Sequence, residues 1–140
     1  MLFRSEGSLR SQIARLGLKD RVHLAGQQPN EQLHRWFSAA DVTILASSRE
    51  GWANVLLESM ACGTPVVATR VNGTPEVVAA PQAGRLALER SVSHLSAALA
   101  ELLADYPDRT AVRQYAEAFS WEETSRRQVE LFTAIRNQRR

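Results

Sequence analysis

Two short apolar runs, Val42 to Leu45 and Pro65 to Ala68, bracket a helical pattern running from about Ala53 to Cys62. Runs that are apolar at nearly every position suit strands covered on both faces, and a parallel pair of strands needs a crossover of this kind. The pattern extends in both directions. Asp20 to Ala25 alternates and then meets Gly26, so it reads as a strand, and Pro29-Asn30 caps a helix from Glu31 to about Ala40 with Leu33, Trp36 and Phe37 inward. Downstream, Thr74-Pro75-Glu76 has the make-up of a helix start: Thr74 as N-cap, proline at the first helical position and an acid in the first turn. Gly84 to Leu88 reads as a further strand. Strand and helix therefore alternate from Asp20 to Leu88, which predicts an α/β fold with a parallel sheet and helices on both faces. Such sheets bind ligands beyond the carboxyl ends of their strands. The loops Gly26 to Pro29, Ala46 to Trp52 and Thr69 to Gly73 should share that edge.

The remaining patterns are helical. Ser8 to Leu16 places Leu9, Ile13 and Leu16 on one face, and Met1 to Arg4 before it is too short to make a complete strand. Val92 to Ala104, Asp108 to Ala118 and Trp121 to about Asn137 give a helical carboxyl-terminal end, with Ser120 and Glu123 as a capping box for the last helix. The 140 residues suffice for a single domain over 1–140, closed by the helical element at 119–137. A net charge of +2, without an aromatic-studded basic stripe, excludes nucleic acid as a partner. Cys62 alone cannot form an internal disulfide, and His23, His34 and His94 are scattered, so no metal is expected. There is no apolar run of spanning length and no visible signal peptide, which predicts a cytoplasmic location. The basic end, Arg136 with Arg139 and Arg140, reads as a solvated tail; the alternative is a weak pull toward anionic lipid at the inner face of the membrane.

The chemistry concentrates between Arg49 and Val67, REGWANVLLESMACGTPVV. Glu50 lies in a loop and Glu58 inside the following helix, while Gly63-Thr64-Pro65 ends that helix. A loop glutamate can accept charge-assisted hydrogen bonds from sugar hydroxyls. With a rise of 1.5 Å per residue, Glu58 stands about 6 Å beyond Asn54 along the axis, where it can hold a second diol such as a ribose. The helix start between them, Trp52 to Val55, offers N–H groups to phosphates. Sugar, pyrophosphate and ribose are the three parts of a nucleotide-diphosphate sugar. Spacing alone supports equally well a pair of solvated surface acids.

The longer stretch SREGWANVLLESMACGTPVVATRVNGTPEVV resembles the signature of family 4 retaining glycosyltransferases, including its Glu-x(7)-Glu pair. Upstream, DRVHLAGQQPNEQLHRWFSAADVTIL is similar to that family's strand–helix–strand lead-in, and YAEAFSWEETS to its closing helical element. The resemblance implies the carboxyl-terminal, Rossmann-like domain of the two-domain GT-B fold. It further implies that Glu50 contacts the donor sugar as nucleophile or positioning group, and that Glu58 binds the ribose. Gly51, Trp52, Asn54 and Val55 would line phosphates and ribose, Gly26, Gln27 and Gln28 would border the base, and Gly73 could approach the donor. Trp52 stands where phenylalanine is more frequent, and packing is its leading role. No cofactor is implied; the nucleotide-diphosphate sugar is the donor substrate, and a glycan or lipid-linked molecule the acceptor.

Two departures set further expectations. The family's first strand and helix, which grip the pyrophosphate, have no counterpart here, nor has the amino-terminal domain that binds the acceptor. The chain is therefore expected to be part of a longer enzyme and inactive by itself. Leu2-Phe3-Arg4-Ser5 is also what the end of a common sequencing adapter would encode, so residues 1–5 are expected to be foreign. Alternatives at this stage are a nucleotide-sugar epimerase of the same fold and a non-catalytic nucleotide-sugar-binding or interaction module.

Overall fold

The two apolar runs do pair. A computed structural model describes residues 3–138, with side chains for 6–120, 122 and 125–137. In chain order the elements are α1 (Phe3–Arg15), a 3-10 turn (Asn30–Gln32), α2 (Leu33–Ala39), β1 (Thr43–Leu45), α3 (Asn54–Ala61), β2 (Val66–Thr69) and α4 (Thr74–Val77). They continue with β3 (Gly84–Ala87), α5 (Val92–Ala104), α6 (Arg109–Glu117) and α7 (Trp121–Gln138). The strands form one parallel sheet ordered β1-β2-β3, with Thr43 opposite Val66 and Val66 opposite Gly84.

The chain divides into two units, Met1–Asn30 and Glu31–Arg140. In the second, alternation along β2 feeds two cores, because successive side chains leave a strand on opposite faces. Val66 and Ala68 pack with Leu56 and Met60 of α3, Val77 of α4, and Val112 and Ala116 of α6. Val67, with Ala87, packs on the other face against Ala98 and Leu102 of α5. Helices thus cover both faces of β2, as its apolar run required; β1 at the sheet edge is not buried as expected, and its Ile44 is 49% exposed. The last helix, α7, gives the expected helical end.

Polar contacts hold the crossover. The Ser59 hydroxyl donates to Thr43 Oγ1 at 2.8 Å and is also 3.0 Å from the Thr64 carbonyl. Arg109 at the start of α6 donates to the carbonyls of Ala40 and Ser38, both at 3.0 Å, and to Thr64 Oγ1 at 2.8 Å. Thr64 in turn donates to the Phe37 carbonyl at 2.7 Å. One guanidinium therefore ties the end of α2 to the turn between α3 and β2.

Several expectations change. Asp20 to Ala25 is not a strand: residues 19–21 form a turn, with the Arg21 and Val22 N–H groups on the Leu18 carbonyl, and 22–25 have no regular structure and no ladder. Alternation supplies only propensity, and a strand exists only when a neighbour takes its backbone groups. The first helix begins at Phe3 rather than Ser8, and of its apolar face Leu9 and Leu16 are exposed while Ile13 is half-buried. Trp36 is 45% exposed rather than inward; Leu33 and Phe37 are half-buried. Thr74 does not cap α4. Gly73 occupies that position, and the Thr74 hydroxyl turns back into the preceding loop. The capping box at Ser120 depends on the side chain of Glu123, which lies outside the described residues.

Candidate functional site

Residues 46–53 leave β1 at its carboxyl end and are tethered from three sides. The Thr69 hydroxyl, at the end of β2, donates to the Ser47 carbonyl at 2.6 Å. Arg90, in the loop after β3, donates through Nε to the Ala46 carbonyl at 2.7 Å. Gly73 packs directly on the loop as well: a Cβ built there would lie 2.4 Å from the Gly51 carbonyl oxygen, so only glycine allows this approach. The loops carrying Glu50 and Gly73 are thereby brought together at the carboxyl edge of the sheet.

Within this frame Glu50 is half-buried, and its Oε1 accepts a 2.6 Å hydrogen bond from the Ser47 hydroxyl. Ala53 is buried and anchors the start of α3, where no side chain caps the helix. The Asn54 and Leu56 N–H groups donate to the carbonyls of Trp52 and Ala53 at 2.9 and 3.0 Å. Gly51, Asn54 and Glu58 are exposed and Val55 is half-buried. The Trp52 ring leans on Phe119, with centroids 6.2 Å apart, and Phe119 meets Tyr115 edge-on at 5.4 Å. Tyr115 is itself fixed, its hydroxyl donating to the Val77 carbonyl and accepting from the Ala79 N–H, both at 3.1 Å. Trp52 thus joins the loop to the end of α6 while staying half open to solvent.

Gly26, Gln27 and Gln28 belong to the first unit. Gly26 has φ +67° and is exposed, as is Gln27, whereas the half-buried Gln28 donates to the Ala25 carbonyl at 2.6 Å. Among the described residues no group of His, Cys, Asp and Glu could hold a metal ion. Outside the site, the hydrogen bond and charge of Glu117 hold the Arg113 guanidinium above its ordinary value, on the exposed side of α6. Sequence reasoning missed Ser47, Thr69 and Arg90, and read Thr74 only as a helix cap. A threonine closing an apolar run was the available signal for Thr69; for Arg90 nothing local pointed to a carbonyl so distant in sequence.

The tethered loop that carries Glu50 lies beyond the carboxyl ends of an open parallel sheet, where such sheets bind ligands. Residues 5–119 match the model of the glycosyl transferases group 1 family. The chain is 39% identical over 125 residues to a D-inositol 3-phosphate glycosyltransferase of Thermobispora bispora, a match covering 86% of this chain and 29% of the relative. It is 34% identical over 127 residues to an MMP alpha-(1->4)-mannosyltransferase of Mycolicibacterium hassiacum, covering 86% of this chain and 31% of that one. Among solved structures, the sucrose-phosphate synthase of Thermosynechococcus elongatus superposes with TM-score 0.75 at 30% identity, over 93% of this chain and 34% of that one. Anabaena HepE, solved in complex with UDP, gives TM-score 0.75 at 25% identity, over 96% of this chain and 38% of that one. The chain belongs to the group 1 glycosyltransferase family, and its fold is that of the carboxyl-terminal domain of GT-B enzymes. It spans less than a third of the length of these two curated relatives. No described helix is long and apolar enough to cross a membrane.

Proposed function

We propose that this domain binds the nucleotide-diphosphate-sugar donor of a retaining, family 4 hexosyltransferase. The observation that carries the reading is the clasp of Gly73 on Gly51, which sets Glu50 and the start of α3 side by side at the ligand edge of the sheet. Glu50 receives the donor sugar, where a carboxylate hydrogen-bonded by Ser47 is available to ring hydroxyls and to positive charge at the anomeric carbon. Glu58, exposed on α3, takes the ribose hydroxyls. Gly51 to Val55 lie along the pyrophosphate, and Trp52 flanks it.

Retaining transfer passes through an oxocarbenium-like state as the nucleoside diphosphate leaves. The chain's own contribution is electrostatic: an anion at the sugar, and backbone dipoles of the helix start at the departing phosphates. The GT-B neighbours and the length of the relatives support a parent enzyme in which further sequence binds a glycan or lipid-linked acceptor. The parent acts in the cytoplasm, at the inner face of the membrane where the acceptor is lipid-linked.

Ligand-observed NMR with UDP, GDP and ADP on the 140-residue chain tests the reading. One nucleotide should bind, and Glu58→Ala should weaken it by about tenfold or more, the worth of a charge-assisted hydrogen-bonded pair. A folded chain that binds none of the three, with or without an attached hexose, would sink it.

A further inference from the structure

Glu50 does not stand alone in its loop. Three hydroxyl groups brace the backbone that leads to it, two of them through main-chain carbonyls and the last on the carboxylate itself. Thr74, 1% exposed, lies 2.7 Å from the Thr69 carbonyl and 2.8 Å from that of Val71, and accepts the Val71 N–H at 2.9 Å. Thr69, also 1% exposed, donates to the Ser47 carbonyl at 2.6 Å. Ser47 then spends its only proton on Glu50 Oε1 at 2.6 Å. We propose that Ser47 is a positioning residue for Glu50, held in register by Thr69, so that one carboxylate oxygen is fixed and the other is left for the donor sugar.

The physical case rests on geometry and proton count. A hydroxyl has a single donor, and short bonds to an anion are the stronger ones. A glutamate on an irregular loop has three side-chain torsions to settle; a bond from the residue three positions back restricts them before ligand arrives. Ser47 can do this only if its own backbone is immobile, and the bond from Thr69 provides that. Preorganisation of this kind lowers the cost of placing a charge opposite one that develops during reaction. Gly73 against Gly51 fixes the other flank of the same residue.

The inference rests on the donor-binding reading, and the experiment separates the two. Binding of a bare nucleoside diphosphate and of its hexose conjugate is compared in wild type, Ser47→Ala, Ser47→Thr, Glu50→Gln and the Ser47→Ala/Glu50→Gln double variant. Ser47→Ala should weaken the conjugate by about tenfold and the bare nucleotide hardly at all. Ser47→Thr, which keeps the hydroxyl, should restore most of the loss. The double variant should lose no more than Glu50→Gln alone, since both act through one carboxylate. Loss on Glu50→Gln with none on Ser47→Ala, or losses that simply add, would overturn the positioning role while leaving the donor site intact. Absence of all binding would overturn the donor reading instead. A ligand-free measurement then decides the positioning role by itself: side-chain carbon relaxation at Glu50 should show greater mobility in Ser47→Ala and wild-type order in Ser47→Thr, and unchanged mobility in Ser47→Ala refutes it.

Discussion

The block from β1 to α4 and the closing helix α7 are built on opposite terms. In the block, strand ends and loops are sewn together by side chains whose polar atoms all find partners: Ser47, Ser59, Thr64, Thr69 and Thr74 each make at least one hydrogen bond. Among the described residues no buried side-chain nitrogen or oxygen is without a partner. On α7, by contrast, Val129, Leu131, Phe132 and Ile135 are all exposed, Phe132 at 66%. The difference teaches where the sequence carries its own instructions. The block specifies its geometry through contacts it contains, so a substitution there disturbs several groups together, while at these exposed apolar positions of α7 a change mainly touches water.

The sharpest way to break this contrast is at the sheet itself. Gly84 has φ +147°, and a Cβ there would sit 1.9 Å from the Val66 carbonyl oxygen and 2.9 Å from its nitrogen. Gly84→Ala should cost about 3 kcal/mol or more in denaturant unfolding, as backbone strain adds to overpacking between β2 and β3. A loss near zero would mean that the sheet yields easily and the block is less fixed than its contacts suggest. Arg109→Met comes next. It removes the bonds to the carbonyls of Ser38 and Ala40 and to the buried Thr64, and should cost about 2 kcal/mol by thermal unfolding.

Gly73→Ala sharpens the contrast in another way, because its clash lies between two loops rather than in the sheet. The loops can separate, so the stability cost should be smaller, about 1 kcal/mol. Separation moves Gly51 and with it the Glu50 loop. Titration with the nucleotide that wild type binds should therefore show a loss of about tenfold, larger than the stability change alone suggests. Equal affinity in the variant would show that the clasp is structural only.

What was legible in the sequence follows the same division. The strand expected at Pro65 to Ala68 and observed as Val66–Thr69 could be read because an unbroken apolar run, after a helix stopped by Gly63-Thr64-Pro65, leaves little but a buried strand. The placing of the Glu50 and Gly73 loops on one edge followed from topology, since both leave parallel strands in the same direction. Asp20 to Ala25 carried an equally plain alternation and failed, because pairing depends on a partner strand that the pattern does not contain. Trp36 failed for a related reason: helical period gives a face but not whether anything covers it. The role of Ser47 was invisible, as it depends on a carboxylate three residues on and a hydroxyl 22 residues away. Short-range pattern reports elements; the bonds that join their ends must be seen.

The smallest effect is expected on α7, and it tests the other half of the contrast. Phe132→Gln removes a large apolar ring from a site that is 66% exposed, so little burial is lost. Glutamine is also the better helix former of the two, which offsets part of any loss. The change in unfolding free energy should be about 0.5 kcal/mol or less, in line with surface substitutions elsewhere. Circular dichroism should show unchanged helix content. A cost of about 2 kcal/mol would be that of a core residue, and would mean that in solution something covers this face. Repeating the measurement across a range of protein concentrations would identify a second copy as the cover, because only then does the cost grow as the chain is concentrated. A cost that stays small at every concentration leaves α7 as the element whose sequence does not by itself fix its surroundings, against a strand-end block whose sequence does.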